Sequence, residues 1–310
     1  MKKISNLFNL LKLRDKNGRD IEVNYVLESE PKTKEDILNL LTQFNLSQYM
    51  AQIEPLIKPI ISLELNSSKE ETISLKTSKI GGKPHLPQGI SWPKTNKGIS
   101  MSFIAQLNIS EFKNFDVENL FPKDGIISFF YCQDQSVWGF DPNDKNSFKV
   151  LYFEKDSSLR KVQFPKDLKE ESIFKPNTLK FSKALSIPTW NDDVLLTIID
   201  DKDSDNYFEV SQGVENQILG YANNVQNTME LECQLVTNGL YCGDPSGYND
   251  PRSIELKSGK DDWVLLLQLD SDEDKTGMMW GDLGTIYFWI KKQDLKNKRF
   301  DNAWCILQCH

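Results

Sequence analysis

The stretch WVLLLQLDSDEDKTGMMWGDLGTIYFWI, residues 263–290, joins two apolar runs through an acidic loop. The first run ends in Gln268-Leu269-Asp270, the loop ends in Trp280-Gly281-Asp282, and a glycine precedes the second run. Short apolar runs bounded by turn residues are typical of buried strands. The stretch therefore predicts a β-loop-β unit.

A weaker copy of this unit stands earlier in the chain, within residues 102–131. FIAQLN at 103–108 aligns with LLLQLD at 265–270, and GIISFF at 125–130 aligns with GTIYFW at 284–289. Upstream, IGGKP at 80–84 pairs with ILGYA at 218–222 through fewer matches. A pattern repeated with its loop predicts an internal duplication.

Alternation along the strands divides the side chains between two faces, because successive residues of a strand point in opposite directions. In the second copy, leucines occupy one face, and Gln268 and Asp270 occupy the other. In its second strand, Tyr287 and Trp289 lie opposite Phe288. One face is therefore predicted to be core, and the other carries an amide, a carboxylate and large aromatic rings.

The fold class predicted is α+β. Thr33-Lys34-Glu35-Asp36 is typical of a helix start, because a threonine side chain can cap the amide three residues on and acids favour the positive end of the helix dipole. The predicted organisation is an N-terminal arm (1–32), a helical hairpin (33–60), and a duplicated β-rich body (61–310) with halves about 61–150 and 211–310 joined by connecting strands in 151–210.

Further short elements follow from the periodicity of apolar residues. Ile4, Leu7, Phe8 and Leu11 have helical spacing, and Val23, Tyr25 and Leu27 alternate as in an edge strand. Strands are also expected over Ile60–Leu65, Thr72–Lys76, Val150–Phe153 and Val194–Ile199.

Composition excludes several classes of protein. A formal charge of −8 and a pI near 5.0 would repel a nucleic-acid backbone. No apolar segment is long enough to span a bilayer, and the N-terminus lacks a signal-peptide cleavage pattern. The five cysteines form no C-x-x-C pair, which disfavours a disulfide framework or a zinc knuckle. We expect a cytoplasmic protein without a bound cofactor.

Several further motifs stand along the chain: S-x-h-G-G-x-P at 78–84, LGY at 219–221, LECQL at 231–235, and above all LLQLDSD with MMWGDLGTIYFWI at 266–290, followed by WCILQC at 304–309. Together they resemble the YwqG-like family of uncharacterised bacterial proteins. The resemblance covers roughly residues 30–310 and implies a cytoplasmic bacterial protein with a duplicated, β-rich α+β body and no established activity. The family often has His before LGY and Pro after it, where this chain has Gln217-Ile218 and Ala222. This departure argues against a mechanism that needs an imidazole there.

Nucleophilic chemistry has little support. The histidines are His85, in a Gly/Pro-rich loop, and the terminal His310, and histidine is the usual general base. The chain has no G-x-S-x-G motif, and a cysteine could pair with His85 only through tertiary contacts. Cys305 and Cys309 are predicted to lie on one strand, about 13 Å apart at roughly 3.3 Å per residue, which is too far to share a metal. Phosphate-binding glycine motifs are absent from the sequence.

The acidic loop offers a second kind of site. Asp270, Asp272 and Asp282 could hold a hard cation if the loop folded Asp282 back, although the glycine and glutamate positions of a calcium loop do not match. The alternative is a solvated acidic loop. A metal-dependent hydrolase using these carboxylates is the competing enzyme hypothesis.

A binding cleft between the two halves is the leading hypothesis. An unsatisfied amide in an apolar strand costs roughly 1–3 kcal/mol, so Gln106 and Gln268 should each bond either a loop backbone or a ligand. The aromatic residues could line such a cleft, or could be core between packed sheets. The predicted ligand-binding residues are Gly81, Gly82, Trp92, Gln106, Tyr221, Gln268, Asp270, Trp280 and Asp282.

The function predicted is therefore a binding or interaction protein, with a protein or a small polar ligand as partner. Two alternatives stay open beside it. One is the metal-dependent hydrolase, and the other is a partner that neutralises a second protein and has no small-molecule site.

Overall fold

The computed structural model describes residues 10–14, 20–24 and 30–310. The strands, in chain order, are β1 Leu10–Arg14, β2 Asp20–Asn24, β3 Lys58–Ser67, β4 Lys79–Ile80, β5 His85–Pro87, β6 Met101–Asn108, β7 Ile126–Cys132, β8 Phe148–Phe153, β9 Leu159–Lys161, β10 Asn177–Ser186, β11 Gln217–Ile218, β12 Trp263–Asp270, β13 Thr285–Lys291 and β14 Trp304–Gln308.

The helices are short. They are α1 Lys34–Gln43, α2 Met50–Ile53, α3 Ile109–Phe112, α4 Ser204–Val210, α5 Glu230–Val236, α6 Pro245–Asn249, α7 Arg252–Leu256 and α8 Lys292–Lys296. The α+β fold class is confirmed.

The chain divides into two compact units. Unit 1 consists of Met1–Lys58 and Ala184–Gly213, and unit 2 consists of Pro59–Lys183 and Val214–His310. Residues 184–213, expected among the connecting strands, instead belong to the same unit as the predicted helical hairpin. Their apolar side chains share one buried cluster with that hairpin, which includes Ile37, Leu41, Leu195 and Tyr207.

In unit 1, the predicted start of α1 is confirmed. The Thr33 hydroxyl accepts a hydrogen bond from the Asp36 N–H at 3.1 Å, and the Asp36 carboxylate accepts from the Thr33 N–H at 2.8 Å. This reciprocal pair is a capping box, which satisfies two amides that no helical carbonyl can reach. The predicted second helical piece forms as α2 between two 3₁₀ turns, Ser47–Tyr49 and Glu54–Leu56.

Two predicted elements near the N-terminus fall mostly outside the described residues. Ile4, Leu7 and Phe8 of the expected amphipathic turn are not among the residues that the structure describes, and neither are Tyr25 and Leu27. Residues 10–14 form β1, which pairs with β2 in an antiparallel two-stranded sheet.

Two predicted strands are wrong. Val194–Ile199 instead contains the 3₁₀ helix Asp193–Thr197, which Asp192 caps by accepting from the Val194 N–H. Thr72–Lys76 follows the 3₁₀ helix Glu70–Thr72 and ends at Lys76 with a φ of +69°. Short alternating segments suit a 3₁₀ turn as well as a strand, because both can bury one side of the chain.

In unit 2, strands join in a large, near-barrel antiparallel sheet of order β14-β13-β12-β11-β3-β10-β4-β6-β7-β8. The predicted strands at Ile60–Leu65 and Val150–Phe153 are confirmed within β3 and β8. β10 lies in the region expected to contain connecting strands, but its bounds were not predicted, because its lysines make the segment resemble exposed polar sequence.

The two predicted β-loop-β units form the hairpins β6–β7 and β12–β13, which have the same register. Phe103 pairs with Phe130, and after a bulge Ala105 pairs with Phe129. In the other hairpin, Leu265 pairs with Trp289. A bulge follows at the corresponding position, so the next paired residue of the first strand is Leu267. The bulge inserts one extra residue into each first strand.

The two hairpins contact each other through buried side chains on one face of the sheet. The rings of Phe129 and Phe288 lie 5.0 Å apart, and both side chains are fully buried in the main core. Their neighbours in sequence, Ser128 and Tyr287, therefore point to the opposite face of the sheet. That face is buried as well, since Tyr287 and Gln268 are at most 1% exposed.

Candidate functional site

Two rows of polar side chains cross the sheet on this opposite face. The first row runs Lys79–Gln106–Ser128 across β4, β6 and β7, and the second row runs Gln217–Gln268–Tyr287 across β11, β12 and β13. Residues directly opposite one another on neighbouring strands share a face and lie in contact distance. Every member of both rows is buried.

Gln106 ties together the chain on the two sides of β4. Its Oε1 accepts from the His85 N–H at 3.1 Å, and its Nε2 donates to the Thr77 carbonyl at 3.0 Å. Its Nε2 also lies 3.1 Å from Nδ1 of the His85 ring. The amide thus satisfies backbone groups that would otherwise be buried without partners.

Gln268 makes the corresponding connection around β11. Its Oε1 accepts from the Asn223 N–H at 2.8 Å, and its Nε2 donates to the carbonyls of Val214 and Glu215 at 2.9 and 3.1 Å. Both glutamines therefore hold loops, which is one of the two roles that the sequence left open for them.

Two consecutive residues with a left-handed backbone conformation follow each of the short strands β4 and β11. Gly81 and Gly82 have φ of +64° and +66°, and Leu219 and Gly220 have φ of +64° and +70°. Gly81 has a second constraint, because a Cβ there would overlap the Lys175 carbonyl and lie 2.8 Å from the Phe174 carbonyl. The two predicted ligand-binding glycines thus pack against the protein itself.

Lys79 is a fully buried cation. Its Nζ lies 3.3 and 3.4 Å from the two carboxylate oxygens of Glu70 and donates to the Lys83 carbonyl. Burial lowers the pKa of Lys79 to about 8, with the Glu70 carboxylate opposing the shift. The lysine remains mostly charged at neutral pH, and Glu70 also lies 3.5 Å from Lys161.

His85 has one satisfied and one unsatisfied ring nitrogen. Nδ1 accepts from the Lys76 N–H at 3.3 Å and faces the Gln106 amide, which assigns the ring proton to Nε2. Burial, with Lys79 and Lys161 nearby, lowers the pKa of His85 to about 3. The neutral ring thus presents a buried Nε2–H donor with no hydrogen-bond partner among the described residues.

Ser128 and Tyr287 hold corresponding positions with different outcomes. The Tyr287 hydroxyl donates to the Asn223 carbonyl at 2.6 Å, so the second row is closed by a hydrogen bond to its own loop. Ser128 is shorter, and its buried hydroxyl has no partner within the part of the chain that the structure describes. Each row therefore has one buried polar atom without a partner among the described residues, Ser128 Oγ in the first row and Gln217 Oε1 in the second. The His85 Nε2–H beside the first row is a further unsatisfied donor.

The predicted cleft shared by Gln106 and Gln268 has no support in the contacts of the two amides. Both amides lie on the face opposite the Phe129–Phe288 contact, and each is occupied by its own loop. The reason is that the sheet curves so that the hairpins meet through their apolar face.

The predicted aromatic residues lie in separate surroundings. Trp92 is half-buried, donates to the Met101 carbonyl at 2.8 Å and packs on Phe130. Trp280 is fully buried against Tyr131 and Phe174, and no described residue accepts from its Nε1. Tyr221 is half-buried, and its carbonyl accepts from Gln217 at 2.6 Å. For Trp280, the alternative of a core aromatic residue is correct.

The acidic loop does not assemble a metal site. Asp270 accepts from the Ser271 N–H and the Thr285 hydroxyl, both at 2.9 Å, and Asp272 accepts from the Lys275 N–H at 2.9 Å. Asp282 is exposed. Across the described residues, no three carboxylate, thiol or imidazole side chains are grouped to hold a metal ion. Short turns satisfy these carboxylates one by one instead.

The four buried thiols are unsuited to nucleophilic attack. Burial raises the pKa of Cys132 and of Cys242 to about 12, and it raises the pKa of Cys233 and Cys305 well above the ordinary value. A thiol with a raised pKa is protonated at neutral pH and is a poor nucleophile. Cys305 lies on β14 as predicted, and Cys309 follows the end of that strand.

Sequence reasoning missed three polar residues of this region. Lys79 and Ser128 stand at positions that the alignment of the two copies matches with Gln217 and Tyr287, so a comparison position by position would have found them. Gln308 was also missed; its Oε1 accepts from the Val225 and Gln226 N–H groups at 3.1 and 3.0 Å.

The fold and the rows define an α+β protein with a large near-barrel sheet and glutamine-held loops. Residues 78–309, roughly three quarters of the chain, match the model of a family described as a domain of unknown function, DUF1963. The chain belongs to this family. The predicted membership of an uncharacterised family is thereby confirmed, and the YwqG-like name stays a resemblance. A search among curated proteins gives no match.

Among the residues described, no helix combines the length and apolar character needed to cross a membrane.

Proposed function

We propose that this protein is a binding protein with a ligand site beside the first row, between the His85 ring and the Ser128 hydroxyl. The ligand is a small polar molecule that offers hydrogen-bond acceptors, such as a carboxylate. The observation that carries this proposal is a pair of buried donors without partners among the described residues, the His85 Nε2–H beside the first row and the Ser128 hydroxyl within it. The residues aligned with them are Asn223 and Tyr287, and the Tyr287 hydroxyl is bonded.

We also infer that unit 2 contains an internal duplication, with halves about 61–150 and 211–310 joined by a connecting segment. Several features support it: the two hairpins share register and bulge, and each glutamine bridges the chain on both sides of a short strand. A pair of left-handed residues also follows each short strand. Under this inference, His85 corresponds to Asn223 and Ser128 to Tyr287, so one half serves as the reference for the other.

The electrostatics of the first row favour an anionic acceptor. His85 is neutral and donates from Nε2, and the cationic side chains of Lys79 and Lys161 are close enough to lower its pKa. An unsatisfied buried donor costs about 1–3 kcal/mol, and a bound acceptor would recover that cost. A carboxylate oxygen suits both an imidazole N–H and a hydroxyl donor.

Protein labelled with ¹⁵N-histidine offers a direct test, with sodium formate as the probe and sodium chloride at equal ionic strength as the reference. We expect a saturable change in the His85 Nε2 resonance with formate. Ser128→Ala, which removes one of the two donors, should weaken the response, whereas Ser128→Tyr, which introduces the bulkier residue of the second half, should abolish it.

Formate that leaves the His85 resonance of the folded wild-type protein unchanged overturns the proposed site. An equal response in Ser128→Tyr also overturns it, because the probe would then bind elsewhere. The His310 resonance serves as an internal control for general salt effects.

We further propose a cytoplasmic location, which the acidic composition and the cysteines support. The cysteines are all free thiols, as a reducing compartment would keep them.

A further inference from the structure

Unit 1 carries an aromatic pair on its surface. Trp190 and Phe208 are 45% and 40% exposed, and their rings meet edge to face with centroids 5.7 Å apart. Phe208 lies on α4, whose buried side is formed by Tyr207 and Val210. On the same segment of chain, Leu196 is 82% exposed. Large aromatic side chains at the surface are typical of sites that contact another protein.

The surroundings of this pair are strongly acidic. Residues 184–213 contain seven acidic residues and one lysine, a net charge of −6 within a chain of net charge −8. Asp192 and Asp193 follow Trp190 closely in sequence, and Asp205 stands one helical turn before Phe208. Most of the excess negative charge is thus concentrated in the segment that carries the aromatic pair.

Two carboxylates of α4 repel each other. Asp205 and Glu209 are four residues apart, a spacing that places side chains side by side on a helix. Burial and the Asp205 charge raise the pKa of Glu209. A like-charge pair at this spacing destabilises the helix by a few tenths of a kcal/mol, and a cation placed between the two carboxylates would remove that repulsion.

We infer that this surface docks a basic peptide segment of a partner protein, with an arginine or lysine side chain stacked on the Trp190–Phe208 pair and further cations facing Asp205 and Glu209. A guanidinium group stacks on an aromatic face and pairs with carboxylates at the same time. Acidic peptides, nucleic acids and anionic lipid surfaces would all be repelled by the net charge of the segment. This inference stands independently of the ligand site proposed in unit 2.

Isothermal titration calorimetry with two synthetic peptides tests the inference on the full chain. One peptide alternates arginine with glycine and leucine, and the other has glutamate in place of each arginine. We expect the arginine peptide alone to bind, with affinity falling as ionic strength rises from about 50 to about 300 mM, because salt screens exposed charges.

Three variants locate the binding. Trp190→Ala and the double variant Asp205→Asn/Glu209→Gln should each weaken binding about tenfold or more, a loss of about 1.4 kcal/mol. The matched control Glu273→Gln/Asp274→Asn removes two exposed acids of unit 2 and should leave the affinity unchanged. The five substitutions in these variants lie at exposed or half-buried positions, and circular dichroism checks that each variant is folded.

Three results would each overturn the inference. The arginine peptide fails to bind, the control weakens binding as much as the α4 variant does, or the glutamate peptide binds equally well. The second result would mean that only total charge matters.

Discussion

The first and second rows of unit 2 have the same backbone arrangement and different side chains. In both, a glutamine ties the segment before a short strand to the segment after it. In the second row, Tyr287 completes the arrangement by bonding the Asn223 carbonyl. In the first row, Ser128 and the buried Lys79 occupy the matching positions, with His85 beside them. The Ser128 hydroxyl and the His85 Nε2–H have no partner among the described residues, and in the second row the same is true of Gln217 Oε1.

This difference separates structural from functional requirements. The loops need the glutamine amides in both rows, because buried backbone groups must be paired. The loops need neither a histidine nor a lysine, since the second row holds its loop without either. The histidine and lysine of the first row therefore call for another explanation, which the proposed ligand site supplies.

The largest expected effect comes from the left-handed position that precedes His85. Gly81→Ala should lower the free energy of unfolding by about 3 kcal/mol or more, because the new Cβ combines a left-handed φ with an overlap on the Lys175 carbonyl. Leu219 adopts the same φ at the corresponding position, so φ alone does not require glycine. Urea denaturation measures the change.

A matched control isolates the effect of the overlap. Gly89 also has a positive φ, of +88°, and a Cβ there meets no atom within 4 Å. Gly89→Ala should therefore cost only about 1 kcal/mol. Equal losses in the two variants would show that the close approach at Gly81 is unimportant.

Particular residues show how far the sequence predicts this fold. The hairpins, the capping box at Thr33 and the loop-holding glutamines follow from local rules: apolar runs form strands, a threonine caps a helix, and an amide in an apolar strand needs partners. The strand predicted at Val194–Ile199 is wrong because its four buried or half-buried apolar residues suit a segment with a 3₁₀ helix equally well.

The site was harder to predict for a different reason. Alternation assigns Gln268 and Phe288 to opposite faces, but it does not say which faces meet when a sheet curves. Here the apolar faces meet at Phe129 and Phe288, and each amide bonds its own loop. Lys79 was missed because an isolated lysine is normally exposed, and its burial depends on Glu70, nine residues earlier in a turn.

The next largest expected effect is on the pH dependence of stability, to which His85 beside the first row contributes. His85 has a pKa of about 3 in the folded protein against an ordinary value of 6.5. Between these values the unfolded chain binds a proton that the folded chain does not, so stability falls as the pH is lowered from about 6.5, by about 1.4 kcal/mol per pH unit. His85→Asn, which introduces the residue of the second half, should remove this slope while its Oδ1 replaces Nδ1 as acceptor.

The difference between wild type and variant is the quantity to measure. Burial raises the pKa of Glu232 to about 7. Above about pH 4.5 the folded protein therefore holds a proton on Glu232 that the unfolded chain releases. The contribution of Glu232 to the stability of the folded protein thus falls as the pH rises. This opposes the His85 slope in the same range. Urea denaturation of both proteins at several pH values between about 4 and 6.5 cancels the Glu232 contribution, since both contain it. Parallel curves would contradict a neutral, buried His85.

The smallest expected effects come from replacing the residue that ends each row. The two replacements should change the free energy of unfolding in different ways. Tyr287→Phe removes the hydroxyl that donates to the Asn223 carbonyl, which leaves a buried acceptor unpaired and should cost about 1–2 kcal/mol of unfolding free energy. Ser128→Ala removes a buried hydroxyl that has no partner within the described chain. It should be neutral or stabilising by up to about 1 kcal/mol, because the folded protein no longer buries an unsatisfied group.

Both changes delete one oxygen atom, so cavity effects are similar and urea denaturation under one set of conditions compares them directly. A loss in Ser128→Ala as large as in Tyr287→Phe would mean that the serine is already bonded within the folded chain, and the contrast between the two rows would then disappear.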